Sequence, residues 1–183
     1  MILNSRSNLF IFGFPKDFMQ DEVASKYVKY LNRMPGNLIS RPIDYINYSV
    51  QGITFPTYSY EPVQQQFRDD LKSWRDSMPM RELLTNDLTV SFQLLDGYIN
   101  YWMMVDLFLY WYSFPNPNPY LPHGINLRIL DSEGNILITI EFEEVLFKEV
   151  ASLDLSFSNN SPEFSTFDCT FTYNQFNTKL ELD

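Results

Sequence analysis

The sequence predicts a mainly β, α+β fold: an antiparallel β-sandwich or barrel of two hairpin-rich sheets, one flanking apolar helix and an N-terminal strand-helix extension. Three observations predict it. Aromatic residues make up 17% of the 183 residues, with 16 Phe and 12 Tyr, a composition that favours strands. The C-terminal third alternates apolar and polar residues with a period of two. The stretch YINYWMMVDLFLYWYSF at 98–114 is almost wholly apolar and ends at Pro115, as a covered helix would.

The elements follow in chain order. Asn8 to Phe14 (NLFIFGF) reads as a short strand ended by Pro15. Asp17 and Gln20 suit a D-x-x-Q capping box, so a helix is expected from there to about Arg33, with Val23, Tyr27, Tyr30 and Leu31 on one face. Met34-Pro35-Gly36-Asn37 stops it. Residues 1–37 form the N-terminal extension and 38–183 the β domain, within a single compact unit. Ile43 to Pro56 (IDYINYSVQGITFP) is rich in β-branched and aromatic residues and reads as strand. FRDDLKSWRDSM at 67–78 fits a short helix or an irregular loop. Leu83 to Leu95 alternates through Leu88, Val90, Phe92 and Leu94, and Asp96-Gly97 turns the chain into the apolar helix. PNPNPYLPHG is too rich in proline for anything but a loop.

GINLRILDSEGNILITIEFEEVLF reads as two strands joined by Asp131-Ser132-Glu133-Gly134-Asn135. Ile136, Ile138, Ile140 and Phe142 face one way, and Thr139, Glu141 and Glu143 the other. SLDLSFS (152–158) and FSTFDCTFTYN (164–174) read as a second hairpin, in which Phe167, Cys169, Phe171 and Tyr173 alternate with Asp168, Thr170 and Thr172. Each hairpin thus has an apolar face and a polar, partly acidic one.

Composition and motifs narrow the function. The net charge of −10 opposes gripping nucleic acid by phosphate neutralisation. The apolar stretch is shorter than the roughly 20 residues a spanning helix needs, and it holds Asn100 and Asp106 without a basic flank, so no membrane insertion is expected. The start lacks a small-residue cleavage site, which points to synthesis in the cytoplasm. The lone Cys169 alternates with core phenylalanines, and the lone His123 lies in the proline-rich loop without a nucleophile elbow, so catalysis by that pair is the minor reading. DSEGN lacks calcium-loop spacing, and Glu141, Glu143 and Glu144 read as a solvated strand face. No cofactor, metal or catalytic residue is expected, and the chain is read as an assembly subunit, not an enzyme.

The order of elements resembles the phage tail tube protein family, which includes tail tubes, baseplate tube initiators and tail-barrel rings. The residues that carry the resemblance are ITFP (53–56), a linking segment with Arg68, Trp74 and Arg75, LTVSFQLLDG (88–97), NYWMMVDLFLYWY (100–112), the 125–147 hairpin with its ILDSEGN turn, and the closing FSTFDCTFTYNQF (164–176). The likeness covers about Ile43 to Leu182 and departs at the N-terminal extension. It implies a virion protein of the tail whose copies form stacked rings, six-fold or twelve-fold, around a channel for DNA ejection. Its partners would be further copies of itself and neighbouring tail, baseplate or connector proteins, with DNA passing but not sticking. On that reading Thr139, Glu141, Glu143, Asp168, Thr170 and Thr172 face the lumen. Phe55, Pro56, Tyr58 and Tyr60 make contacts between rings or subunits, and Ile99, Trp102, Met103, Leu109 and Tyr110 belong to the helix covering the barrel. The alternative is a soluble β-sandwich module binding carbohydrate or a host surface.

Overall fold

The computed structural model describes residues 9–33, 39, 41–57, 63–66, 72–75, 86–113, 119–153 and 165–181. Its strands are β1 (Phe10–Gly13), β2 (Val50–Thr54), β3 (Val63–Gln66), β4 (Lys72–Arg75), β5 (Asp87–Gln93), β6 (Ile125–Leu130), β7 (Ile136–Glu143), β8 (Leu146–Val150), β9 (Thr166–Thr172) and β10 (Gln175–Leu180). Its helices are α1 (Asp21–Leu31), α2 (Pro42–Ser49) and α3 (Ile99–Ser113), with single 3-10 turns at Lys16–Phe18 and Asp96–Tyr98. The expected class holds: two four-stranded antiparallel sheets with flanking helices. The first sheet has the order β1-β6-β7-β10 and the second β2-β5-β9-β8, while β3 and β4 pair as a separate ribbon.

Alternation sets both registers. In the second sheet Leu88, Val90 and Phe92 lie opposite Phe171, Cys169 and Phe167, all buried. In the first, Leu127 and Ile125 lie opposite Ile140 and Phe142. These inward side chains join one core with Phe12, Phe14 and Phe18. Phe14 bridges the layers, its ring 4.1 Å from Phe18, 5.4 Å from Phe171 and 6.2 Å from Phe92. β1 pairs with β6 as a strand of the first sheet, so the N-terminal unit is built into the sandwich.

Several expectations are corrected. Of Ile43 to Pro56, expected as strand, the part up to Ser49 belongs to helix α2 (Pro42–Ser49): Pro42 occupies the first turn, Asp44 follows it, and Pro42, Ile43, Tyr45, Ile46 and Ser49 are buried. Helical spacing of buried groups overrode β-favouring composition. Within 67–78, β4 is a strand. Helix α1 starts at Asp21 with Gln20 as its N-cap and no side-chain cap, so Asp17 does not form the capping box. Tyr30 is exposed while Val23, Tyr27 and Leu31 are buried.

The strand before β9 is β8, and β8 and β9 pair in the second sheet; of the expected 152–158 strand only Ser152 and Leu153 fall within the described residues, and neither is in a strand. The chain changes sheets twice through corners of only two residues, after β7 and after β9. Glu144, at φ 51, ends β7 and hands the chain to β8 in the other sheet. Tyr173 and Asn174 hand β9 back to β10 in the first.

The DSEGN turn is as expected. The Asp131 carboxylate accepts the backbone N–H groups of Glu133 and Asn135, each at 2.8 Å, and Gly134 takes φ 92. Hydrogen bonds from the Asn135 side chain and backbone hold the Asp131 carboxyl below its usual range.

The two polar residues inside the apolar helix are both explained. Asn100 is fully buried; its Oδ1 accepts the Leu95 N–H at 3.1 Å and its Nδ2 donates to the Gln93 carbonyl at 2.6 Å, tying α3 to the end of β5. Asp106 accepts from Lys26 and from the buried Tyr27 hydroxyl, tying α3 to α1. Burial first, then the bond to Asp106 and its charge, push the Tyr27 phenol well above its ordinary value of 10.0. An unfolded tyrosine ionises near pH 10, whereas this folded one does not. Tyr27 therefore weakens the fold only as pH rises past 10. Urea midpoints measured from pH 8 to 11 should fall less steeply for Tyr27→Phe than for wild type; equal slopes would deny the coupling.

Candidate assembly surface

Both sheets turn their apolar faces into one core, so their polar faces point away from each other. This divides the six residues expected on one lumen. Thr139, Glu141 and Glu143 lie on β7 of the first sheet, and Asp168, Thr170 and Thr172 on β9 of the second. A single flat face of one copy does not hold all six. Thr139 is buried and donates to Glu181 at 3.2 Å. Glu141 is exposed, while Glu143 is half-buried and accepts amide hydrogens from Gln175 and Asn177 of β10. Around Glu141, the residues Asn126 and Arg128 of β6 and Asn177 and Lys179 of β10 complete the polar surface of the first sheet.

The second sheet's polar face is knitted by its own side chains. Ser91 donates to Asp168 at 2.6 Å, Gln51 to Gln93 at 3.1 Å, and Thr172 and Lys148 both bond Asp87. Desolvation opposes ionisation of Asp87, but the bonds from Lys148 and Thr172 outweigh it and hold the carboxyl below its usual value.

The sheet edges differ in a way alternation does not reveal. The second sheet's edge strands are irregular: β2 carries a register break between Val50 and Gly52, and β8 one between Phe147 and Glu149. β8 also exposes Lys148 and Glu149. Bulges and charges on an edge discourage pairing with another strand. The first sheet's edges, β1 and β10, pair with their neighbours without a break. β10 is exposed along its whole length. Its core-side residues remain open: Phe176 is 38% exposed and Leu180 63%.

Phe55 lies beside this rim, 39% exposed, with its ring 6.1 Å from Phe142, which in turn lies 6.3 Å from Phe176. Pro56 follows it, half-buried; the other two expected contact residues, Tyr58 and Tyr60, lie outside the described residues. Phe176 and Leu180 were missed by the sequence reading. Their signal was the alternation Phe176, Thr178, Leu180, which continues past the strand expected to close the fold.

Of the residues expected on the covering helix, Met103 is buried, Ile99 and Tyr110 are half-buried, and Trp102 and Leu109 are exposed. The helix covers the inner face of the second sheet through Tyr101, packed edge-on to Phe167 at 5.3 Å, and Phe108, packed edge-on to Phe147 at 5.3 Å. No described helix is long and apolar enough to cross a membrane.

The two residues of the minor catalytic reading have different settings. Cys169 is fully buried, and burial pushes its thiol well above the usual range. His123 is exposed in a left-handed conformation, its Nδ1 3.2 Å from an Asp17 carboxylate oxygen.

No protein-family model matches the sequence, and no curated protein matches it. Solved structures do share its fold. One is a chain from the tube-terminating cap of the anti-feeding prophage: TM-score 0.58, 9% identity, covering 98% of this chain and 93% of that one. Another is a chain from the extended sheath–tube complex of PVC, an extracellular contractile injection system: TM-score 0.50, 12% identity, covering 97% of this chain and 92% of that one. Over nearly its whole length this chain therefore shares its fold with those two chains.

Proposed function

We propose that this chain is a structural subunit whose copies close into a ring of a tail-like tube or its end cap, in a virion tail or a related injection particle. The observation that carries the reading is the pair of regular edges on the first sheet, β1 at one side and β10 at the other, which no described strand pairs with on their outer sides. Pairing β10 of one copy with β1 of the next continues the sheet around a ring and leaves no edge of that sheet open. The bulged edges of the second sheet suit it less. Likeness in fold to a tube-terminating cap and to a tube-complex chain supports the same role.

In such a ring the polar face of the first sheet is the lumen wall. Glu141 and Glu143 line it with Asn126 and Asn177, while Thr139 lies below the surface and Asp168, Thr170 and Thr172 belong to the other side of the subunit. The same face carries Arg128 and Lys179, but Glu141, Glu143 and Glu181 outnumber them, so the wall has no cationic excess with which to hold an anionic polymer. Further copies, stacked tail or baseplate proteins and passing DNA are the partners. The sugar-binding alternative needs aromatics on an outer sheet face, and the described outer faces of both sheets are aliphatic and polar.

Light scattering on purified protein and negative-stain imaging test the ring: rings with a central hole are expected, and a monomer at every concentration counts against it. Asn126→Lys with Glu141→Lys, both at exposed positions, should leave rings intact but make them retain duplex DNA in a salt-dependent way. Unchanged DNA passage through intact rings would place that face elsewhere.

A further inference from the structure

Helix α3 carries an uncovered seam. Trp102, Val105, Leu109 and Tyr112 follow one another at spacings of three, four and three residues, the pattern that keeps a stripe facing a second helix. Trp102 is 50% exposed, Leu109 53% and Tyr112 58%. These side chains are held in place within their own subunit. Tyr112 donates its hydroxyl to the Phe147 carbonyl at 2.6 Å, and its ring packs at a tilt against Phe108, centroids 4.7 Å apart. Trp102 packs edge-on against Tyr101, which packs against Phe167. Large rings already ordered before contact lose little entropy on binding.

We infer that this seam pairs with the same seam of a second copy, α3 antiparallel to α3 across a two-fold axis. The seam is symmetric about its middle: reversed on itself, Trp102 meets Tyr112 of the second copy and Val105 meets Leu109, ring to ring and small to large. Antiparallel pairing also sets helix dipoles head to tail. Electrostatics permit a partner that carries the same charge of −10, because Asp106 is the helix's one ionised side chain and Lys26 already neutralises it. A foreign helix would be selected by charges flanking the seam, and the flanks here are Ile99, Tyr101, Asp106, Phe108 and Ser113. With Tyr98 beside it, the seam offers about 500 Å² per copy, and a pair buries about 1,000 Å², the threshold for a specific contact. The contact uses neither β1 nor β10 and goes beyond the ring reading.

Disulfide trapping tests it. Helix axes about 8–10 Å apart bring facing Cα atoms to within roughly 4–6 Å, which a disulfide spans. The native Cys169 is buried and gives no background. Full-length Val105→Cys and Leu109→Cys proteins, mixed under mild oxidation, should form covalent dimer several-fold more than either alone, and Ser132→Cys in the exposed β6–β7 turn should form none. The yield should disappear when both carry Trp102→Glu, with circular dichroism unchanged. Trapping no faster than Ser132→Cys, trapping by Val105→Cys alone, or trapping that survives Trp102→Glu would each overturn the pairing. Rings seen by microscopy without trapping would sink this contact and leave the ring standing.

Discussion

Gly124→Ala should unfold most of the protein's margin of stability, lowering it by at least about 3 kcal/mol. Gly124 is buried at the entry to β6, at φ 60, directly after His123, which is also left-handed. A Cβ there would sit 1.9 Å from the Phe142 carbonyl oxygen and 3.1 Å from its carbon. Neither side can retreat. Phe142 is buried, packs against Tyr173 at 4.9 Å, and stands in register with Ile125, the next residue along. The left-handed backbone adds a further penalty of about 1–2 kcal/mol for any L side chain. Gly134→Ala is the control, since it shares a positive φ, 92, but nothing lies within 4 Å of its Cβ. Urea denaturation should show a small loss for Gly134→Ala and a much larger one for Gly124→Ala. Similar losses at both sites would mean that backbone strain alone governs Gly124.

The turn at Gly134 was legible in the sequence and the constraint at Gly124 was not, for one physical reason. Asp131 bonds residues two and four positions along, within reach of a local pattern. Gly124 is constrained by a residue on the neighbouring strand, which no window of sequence contains. The same division runs through the fold. The alternation at Leu88, Val90 and Phe92 and at Phe167, Cys169 and Phe171 marks buried faces correctly because period two is a local property of a strand.

Which sheet each strand joins depends on the corners at Glu144 and at Tyr173-Asn174, where the alternation slips by one residue, from Phe142 to Val145 and from Tyr173 to Phe176, a slip too small to reveal a change of sheet. That is why Thr139 and Thr170 were expected along one lumen although they lie on different sheets. In α2 the aromatic and β-branched composition pointed to strand, although Pro42 in the first turn and Ile43 and Ile46 three apart were the helical signal. The open edge of β10 is a property of sheet order, and sequence reaches it only once the order is known.

Phe176→Asp with Leu180→Asp should abolish rings and leave a folded monomer. Both side chains lie on the core side of β10; Leu180 is 63% exposed and adds little to the isolated subunit, while Phe176, 38% exposed, also packs against Phe142 and Tyr173. At an exposed site such as Leu180 the change alters monomer stability by roughly 0.5 kcal/mol or less; the larger cost at Phe176 is measured on the single variant by urea denaturation. At a closed edge the arithmetic differs. Covering the open halves of a Phe and a Leu contributes about 2 kcal/mol per contact, and enclosing two carboxylates without partners costs more than that gain. A deficit of even 3 kcal/mol per contact weakens each junction by more than 100-fold, roughly, and a ring meets that deficit at every junction. Lys179→Asp tests the opposite side of the same strand. Its side chain faces the polar surface beside Glu181, and the ring should tolerate its loss, with at most a local effect on the 3.5 Å ion pair. Sedimentation velocity and negative stain distinguish the outcomes. Monomer from the double variant and rings from Lys179→Asp locate the closure on the apolar rim of β10. Rings from both would remove β10 from the junction and leave the bulged edges β2 and β8 to close the assembly.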